Sequence, residues 1–379
     1  MRSQTRVGVL FGGPSPEHDV SVLTGLQAAR ALADSGLVAA THALFWSKGG
    51  EWFEVDPALE ALAFAEGAPA GARALQLAAG PGGGFVAAKG RLLGRPERLE
   101  IDAALNCCHG GPGEDGALQG ALDLAGVAYT GPTAAGAMLG MDKLAFGAVI
   151  SAYGLPCLPR VALVGGGGEP PGTVAFEGPY IVKPRFGGSS IGIEVVADLQ
   201  TALAQLRSSV HLRRGAVLEP YRPELFDLQV AVRSWPELQL SAIERPLRSG
   251  AGGDILGYSD KYVGGEGMAS APRELPARIE ESLAGELRAL ALEVARLVAV
   301  RGVARVDFLS DGQSLYVNEI NTVPGSLSRH LFVDPPLPFV ELLSGMLEEA
   351  RARPAAQLSA SGADGRVLRS AGTISAKLG

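Results

Sequence analysis

The sequence predicts an α/β chain of two or three lobes, and three observations support it. It opens as strand, glycine turn and helix: residues 7–11 are a short apolar run, Gly12-Gly13 ends it, and leucines at helical spacing follow. A hairpin lies near its far end, with apolar alternation over 303–309 and 315–321 and a turn at Asp311-Gly312. The length of 379 residues also exceeds the ~100–200 of a typical single domain.

The elements follow in order. Ser15 is placed to cap the first helix, with Pro16 at its first position, and Leu23, Leu26 and Leu32 mark its buried face. Residues 60–100 are glycine-rich and weakly patterned, and no element is assigned there. A strand at 103–107 leads into a loop at 109–116. A helix through Leu118, Leu122 and Leu124 follows, then a short strand ending at Tyr129. Residues 133–153 read as one helix carrying Lys143, and 164–179 as a Gly/Pro loop. A strand at 180–182 ends on Lys183-Pro184, since proline holds the residue before it extended. Asp198 caps a helix bearing Leu199, Leu203 and Leu206. Strands are expected at 217–219 and 228–232. Leu283, Leu287, Leu290, Val294 and Leu297 put an amphipathic helix over 279–300. Roughly the last 25 residues, rich in Ala, Ser and Gly, read as an extension with little core.

Composition narrows the function. Apolar residues are 47% and charged residues 19%, enough for a buried core. The net charge is −7 with no dense Lys/Arg block, so a nucleic-acid partner is set aside. Cys107, Cys108 and Cys157 form no CxxC, and the five histidines show no ligand spacing. A disulfide framework or zinc site is therefore not expected, and the cysteines read as small buried hydrophobes in a reducing compartment. The run at 7–11 is too short for a signal peptide, and no apolar stretch reaches the ~18 residues of a membrane helix. The expected location is the cytoplasm.

Arg305 and Asp307 share one face of their strand, and Glu319 and Asn321 share one face of the next. If the turn pairs odd positions with odd, two carboxylates, an amide oxygen and a guanidinium converge, a set suited to magnesium. An ordinary hairpin with solvated polar residues fits the same spacing. A second candidate is the glycine-serine loop Lys183-Pro-Arg-Phe-Gly187-Gly188-Ser189-Ser190-Ile191-Gly192, whose backbone N–H groups can cradle phosphate; a plain turn is its alternative. No Gly-Lys dipeptide occurs, which excludes Walker A, and Gly12-Gly13 is not GxGxxG. A third is Asp260-Lys261-Tyr262-Val263, within the polar stretch 249–271, readable as an active-site lid or as a simple loop.

Taken in order, FGGPSPEHDVS, HGGPGEDGALQG, YTGPTAAGAMLGMDK, IVKPRFGGSSIG, SDKY, GVARVDF and NEINTVPG resemble the D-alanine–D-alanine ligase family of the ATP-grasp superfamily, over about residues 7–350. The resemblance implies an N-terminal α/β domain (1–132), a central ATP-grasp subdomain (133–215), a C-terminal subdomain with the magnesium site (216–350) and an extension (351–379). Nucleotide would bind between the central and C-terminal parts. Lys143 and Lys183 would hold ATP phosphates under the Gly188-Ser189-Ser190 loop. Glu219 would lie at adenine and Asp227 at the ribose. Asp307, Glu319 and Asn321 would bind two Mg2+ ions, with Mn2+ as a substitute. Glu17 would receive the first substrate's ammonium and form a triad with Ser189 and Tyr262, while Lys261 would reach the transferred phosphate. Arg305 and the Gly325 N–H would stabilise the oxyanion.

The implied reaction is ATP-dependent joining of two D-amino acids through an acyl phosphate, giving D-alanyl-D-alanine for the cell wall, by a homodimer on family analogy. Two departures concern substrates. Ser326-Leu327-Ser328-Arg329-His330-Leu331 places His330 and Leu331 where the family has Ser-Leu or Ser-Met at the acceptor, its serine making the contact, unless a shifted register gives that place to Ser328. The segment from Glu219 to Asp227 is also one residue longer than usual. Alternatives are a ligase of the same chemistry with a different acceptor, a non-catalytic nucleotide binder, and an NAD-dependent dehydrogenase.

Overall fold

A computed structural model describes residues 5–88, 96–164, 173–247, 272–356 and 359–371. Strand β1 (Arg6–Gly12) is almost wholly buried, as an apolar run flanked on both sides must be. Helix α1 (His18–Ser35) starts two residues later than a cap at Ser15 predicts. Ser15 instead turns the chain, its hydroxyl accepting the Glu17 N–H at 3.1 Å, so Glu17 stands at the helix entrance facing the loops. Leu26 and Leu32 are buried, whereas Leu23 is on the open side.

Strands β2 (Ala40–Trp46), β3 (Trp52–Val55), β4 (Arg73–Ala78), β5 (Gly84–Ala87) and β6 (Ala103–Asn106) complete a mixed sheet ordered β5-β4-β3-β2-β1-β6. β1 pairs in parallel with β2 and β6, and the rest is antiparallel. The unassigned 60–100 stretch thus supplies two strands. In β4 only Leu75 is buried, which leaves no clear alternation to read. Helix α2 (Ala117–Ala125) buries Leu118 and Leu122 but exposes Leu124, and the short strand expected at Tyr129 is a single bridge to Ala104.

The helix expected over 133–153 is two helices, α3 (Ala134–Met141) and α4 (Lys143–Ala152), separated by extended Asp142. The Asp142 carboxylate accepts the Leu144 and Ala145 N–H groups and binds Arg185 through both oxygens at 2.8 and 2.6 Å. An aspartate able to cap the following turn breaks the helix where periodicity continues.

Strands β7 (Val161–Leu163), β8 (Tyr180–Pro184), β9 (Glu194–Val196) and β10 (Ala216–Pro220) form an antiparallel sheet ordered β7-β10-β8-β9. Helix α5 (Leu199–Ser208) covers it, with Asp198 accepting the Thr201 N–H as expected. Leu163, Val182, Val196, Leu203 and Leu218 give this lobe its own small core.

A third sheet, ordered β12-β11-β15-β16, is built from β11 (Phe226–Arg233), β12 (Gln239–Leu240), β15 (Val303–Ser310) and β16 (Leu315–Asn321). The short pair β13 (Arg245–Pro246) and β14 (Arg273–Glu274) lies beside it. Helix α6 (Glu281–Leu297) buries Leu283, Leu287, Leu290 and Val294 against the sheet. Helix α7 (Phe339–Ala352) buries Leu342, Leu343 and Met346 in one core with Val22 and Leu26 of α1 and with Leu327 and Leu331. The first and third lobes are thus welded through apolar side chains worth ~1.5–3 kcal/mol each. In the tail, helix α8 (Arg366–Ala371) leaves Val367 and Leu368 exposed.

Candidate active site

The β15–β16 hairpin sets the chemistry. Arg305 lies opposite Asn321 and Asp307 opposite Glu319, so all four side chains project from one face. The register then slips, Phe308 pairing with Val317, which leaves Asn318 as an extra residue in a β-bulge. Without the slip, Glu319 and Asn321 would share a face with Val317 and Leu315, which are buried in the core. The bulge lets one strand give apolar residues to the core and, beyond it, polar ones to the cleft. It also turns Asn318 itself to use: its Oδ1 accepts from Lys183 Nζ at 3.2 Å, and its carbonyl accepts from Arg160.

Arg305, Asp307, Glu319 and Asn321 line an open cleft with roughly 1050 Å³ of empty space, together with Glu17, His109, Glu114, Ser189, Asp227 and Glu244, and with Arg273, Gly325 and His330. Arg305 grips Asp307 through two hydrogen bonds of 2.6 and 2.7 Å, and the Asn321 amide donates to Asp307 at 3.0 Å. Lys143 Nζ is 3.4 Å from Glu319 and donates to the Gly187 carbonyl. The break at Asp142 makes this reach available by putting Lys143 in the first turn of α4, where its own N–H donates to the Arg185 carbonyl. Ser189 donates to Glu17 across the first and second lobes. Gly110, at φ +62, passes so near that a Cβ would lie 2.2 Å from Glu17 Oε2, so this position needs glycine.

Behind the cleft, Glu219 is 1% exposed and flanked by Lys183 Nζ at 2.8 Å and Arg160 Nε at 2.9 Å. Burial alone would raise its carboxyl, but the charges of Lys183 and Arg160 hold it below the usual carboxylate range. Arg160 was not legible as a site residue, since no motif surrounds it. Lys143, Lys183, Gly188, Ser190 and Glu219 stand off the lining of the cleft, whereas Asp227, Glu17 and Ser189 are on it. Lys261 and Tyr262, with the whole lid expected at 249–271, lie outside the described residues.

The substrate end holds groups that sequence reasoning missed. Glu244, 3% exposed, accepts from Gln229 at 2.5 Å, pairs with Arg273 at 3.0 Å and lies 3.3 Å from His330 Nε2. Burial would raise Glu244, yet the His330 hydrogen bond and the charges of His330, Arg273 and Arg305 keep it low. Of the three residues considered for acceptor contact, His330 is on the wall, while Ser328 and Leu331 are fully buried. Ser326, Leu327 and Ser328 all take left-handed backbone conformations, a strained turn just after Gly325.

Solved structures share this architecture. The D-alanine-D-alanine ligase from Coxiella burnetii aligns over 99% of both chains with a TM-score of 0.73 at 22% identity. The VanG D-Ala:D-Ser ligase from Enterococcus faecalis aligns over 92% of this chain and 100% of its own, with a TM-score of 0.68 at 20% identity. The fold is that of the ATP-grasp carboxylate–amine ligases. In sequence, profiles described as D-ala D-ala ligase N-terminus and C-terminus match residues 6–132 and 173–334. The D-alanine--D-alanine ligase of Bradyrhizobium sp. (strain ORS 278) is 30% identical over 92% of this chain and 95% of its own. That of Nocardia farcinica is 31% identical over 93% and 99%. The chain belongs to the D-alanine–D-alanine ligase family, whose members are ADP-forming carboxylate–amine ligases.

Proposed function

We propose that this enzyme joins two D-alanines to D-alanyl-D-alanine at the expense of ATP, for cell-wall precursor synthesis in the cytoplasm. The observation that carries the reading is the convergence of Arg305, Asp307, Glu319 and Asn321 on one face of a hairpin that lines the same cleft as Glu17 and Gly325. The donor's ammonium is received by Glu17, held in place by Ser189. A donor carboxylate oxygen attacks the γ-phosphorus, the β–γ bridging bond breaks, and ADP leaves with an acyl phosphate formed. Lys143 and Lys183 hold the phosphates, Glu219 lies at adenine and Asp227 at the ribose. The acceptor's neutral amine then attacks the acyl carbon, phosphate leaves with the C–O bond electrons, and the new amide loses a proton to solvent. Arg305 and the Gly325 N–H stabilise the oxyanion formed in between.

Asp307, Glu319 and Asn321 offer hard oxygen donors that fit Mg2+, and Mn2+ by the same chemistry. Bound there, two ions would neutralise phosphate charge. Lys261 and Tyr262 complete the phosphate contact and the triad in this reading, and the enzyme acts as a homodimer. A release-of-ADP screen over pairs of D- and L-amino acids tests it, with D-alanine pairs expected to be most active.

One observation favours a second reading, the same chemistry with another acceptor. His330, Glu244 and Arg273 make the acceptor wall larger and more charged than a serine hydroxyl would. His330→Ser then changes the acceptor KM by about tenfold, worth ~1.4 kcal/mol, and leaves the ATP KM unchanged. If both constants stay at wild-type values, His330 has no part in acceptor choice.

A further inference from the structure

The segment 322–326, which carries Gly325, is gripped by side chains of the first lobe. Glu114 Oε1 accepts the Val323 N–H at 2.8 Å and is 3.3 Å from the Thr322 hydroxyl, while its Oε2 accepts the Gly110 N–H at 3.0 Å. His109 Nδ1 lies 2.7 Å from the Val323 carbonyl, and its Nε2 is 2.8 Å from Thr24 Oγ1. Thr24 Oγ1 in turn accepts the Ser326 N–H at 3.1 Å. All three side chains are buried.

The donors and acceptors fit together in one way. A carbonyl only accepts, so His109 carries its proton on Nδ1 and Nε2 is an acceptor. Thr24's single hydroxyl proton then goes to His109 rather than to the Val20 carbonyl 3.0 Å away. Glu114 faces an N–H with each oxygen, an arrangement that the acceptor-only carboxylate form suits best. The left-handed turn at 326–328 requires such over-determination, since strained backbone persists only where its surroundings fix it.

We propose that Glu114, with His109 and Thr24, is a positioning clamp that fixes the backbone around Gly325, so that the first lobe controls the placement of the oxyanion-stabilising N–H. None of the three touches the reacting atoms in this scheme. The proposal rests on the reading of Gly325 given above. The charged and titratable groups around Glu114 are Glu17, His109 and, beside His109, Arg305. Burial, and next the charge of Glu17, push the Glu114 carboxyl up to about 7, and burial pushes His109 down to about 4. The clamp is therefore complete above neutrality, with Glu114 ionised and His109 neutral. Below it a proton on Glu114 weakens one oxygen as an acceptor and so loosens the grip on its N–H partner.

Two measurements test the clamp. Glu114→Gln offers one acceptor in place of two and presents an amide NH2 to an N–H. Its kcat should fall by 10- to 100-fold, the scale of a misplaced catalytic group, with the ATP KM within about threefold. Glu114→Asp, which keeps two acceptors, should recover part of the loss. The wild-type kcat should also drop on the acid side of neutrality, and that limb should vanish in Glu114→Gln. Wild-type kcat and pH profile in the Gln variant overturn the proposal, as does a lowered melting temperature with unaltered kcat. The second measurement is hydrogen exchange on the wild-type chain without substrates, corrected for intrinsic rates. Protection at Val323 and Ser326 should weaken as pH falls from 8 to 6. Protection that is constant over this range overturns the clamp whatever the substrates prove to be. A clamp that passes this test while D-alanine fails as substrate faults only the assignment of function.

Discussion

Replacing Glu319 by Gln keeps the shape of the β16 face and removes one negative charge from it. Glu319 stands opposite Asp307 and 3.4 Å from Lys143 Nζ. At that distance, with an effective dielectric constant near 20, the lost attraction to Lys143 is about 5 kcal/mol before any solvent compensation. Half of that surviving into the transition state, or ~2.4 kcal/mol, is a factor of about 60 in rate. The weakened hold on magnesium adds to it. The expected outcome is a fall in kcat of roughly 100-fold or more, read by coupled ADP release at saturating ATP and amino acid. Raising the metal concentration should recover part of the loss, because the weakened site would then refill. Turnover within a fewfold of wild type would refute both the metal assignment and the electrostatic reasoning.

Three further outcomes are expected. Glu219→Ala leaves Lys183 and Arg160 buried without their shared anion, and should destabilise the fold by ~3–5 kcal/mol in thermal or urea unfolding. Deleting Asn318 removes the bulge, so either the core residues Val317 and Leu315 or the cleft residues Glu319 and Asn321 are put on the wrong face; activity should be abolished, as read by ADP release. Glu114 titrates near 7 when folded against an ordinary 4.5, so its contribution to stability is full below 4.5 and is lost as pH rises through 7, by up to ~3 kcal/mol. Urea unfolding at pH 5 and 8 should show this slope reduced in Glu114→Gln.

Much of the site was legible because strand parity is unforgiving: 305 with 307 and 319 with 321 are alternating pairs, and an odd-to-odd register brings all four together. The bulge was not legible, since alternation on each side of Asn318 looks regular and only the sum over both strands reveals the slip. The break at Asp142 was missed because apolar periodicity continues through it; the signal was an aspartate with two good helix residues behind it. Strands β4 and β5 were missed for want of pattern in a Gly- and Ala-rich stretch. Glu114 and His109 stood inside a recognised motif without a role, because their partners are backbone groups more than 200 positions away. Arg160, Glu244 and Arg273 meet their partners only through tertiary packing, which no local spacing records.

The substrate-binding and catalytic roles assigned above depend on the joining of two D-alanines with release of ADP. Incubating the enzyme with ATP, Mg2+ and D-alanine, and following ADP by a coupled assay and the product by mass, tests it directly. One ADP and one dipeptide per turnover are expected, with little product from L-alanine. ADP release that depends on a different second substrate, or none with any D-amino acid pair, would contradict it.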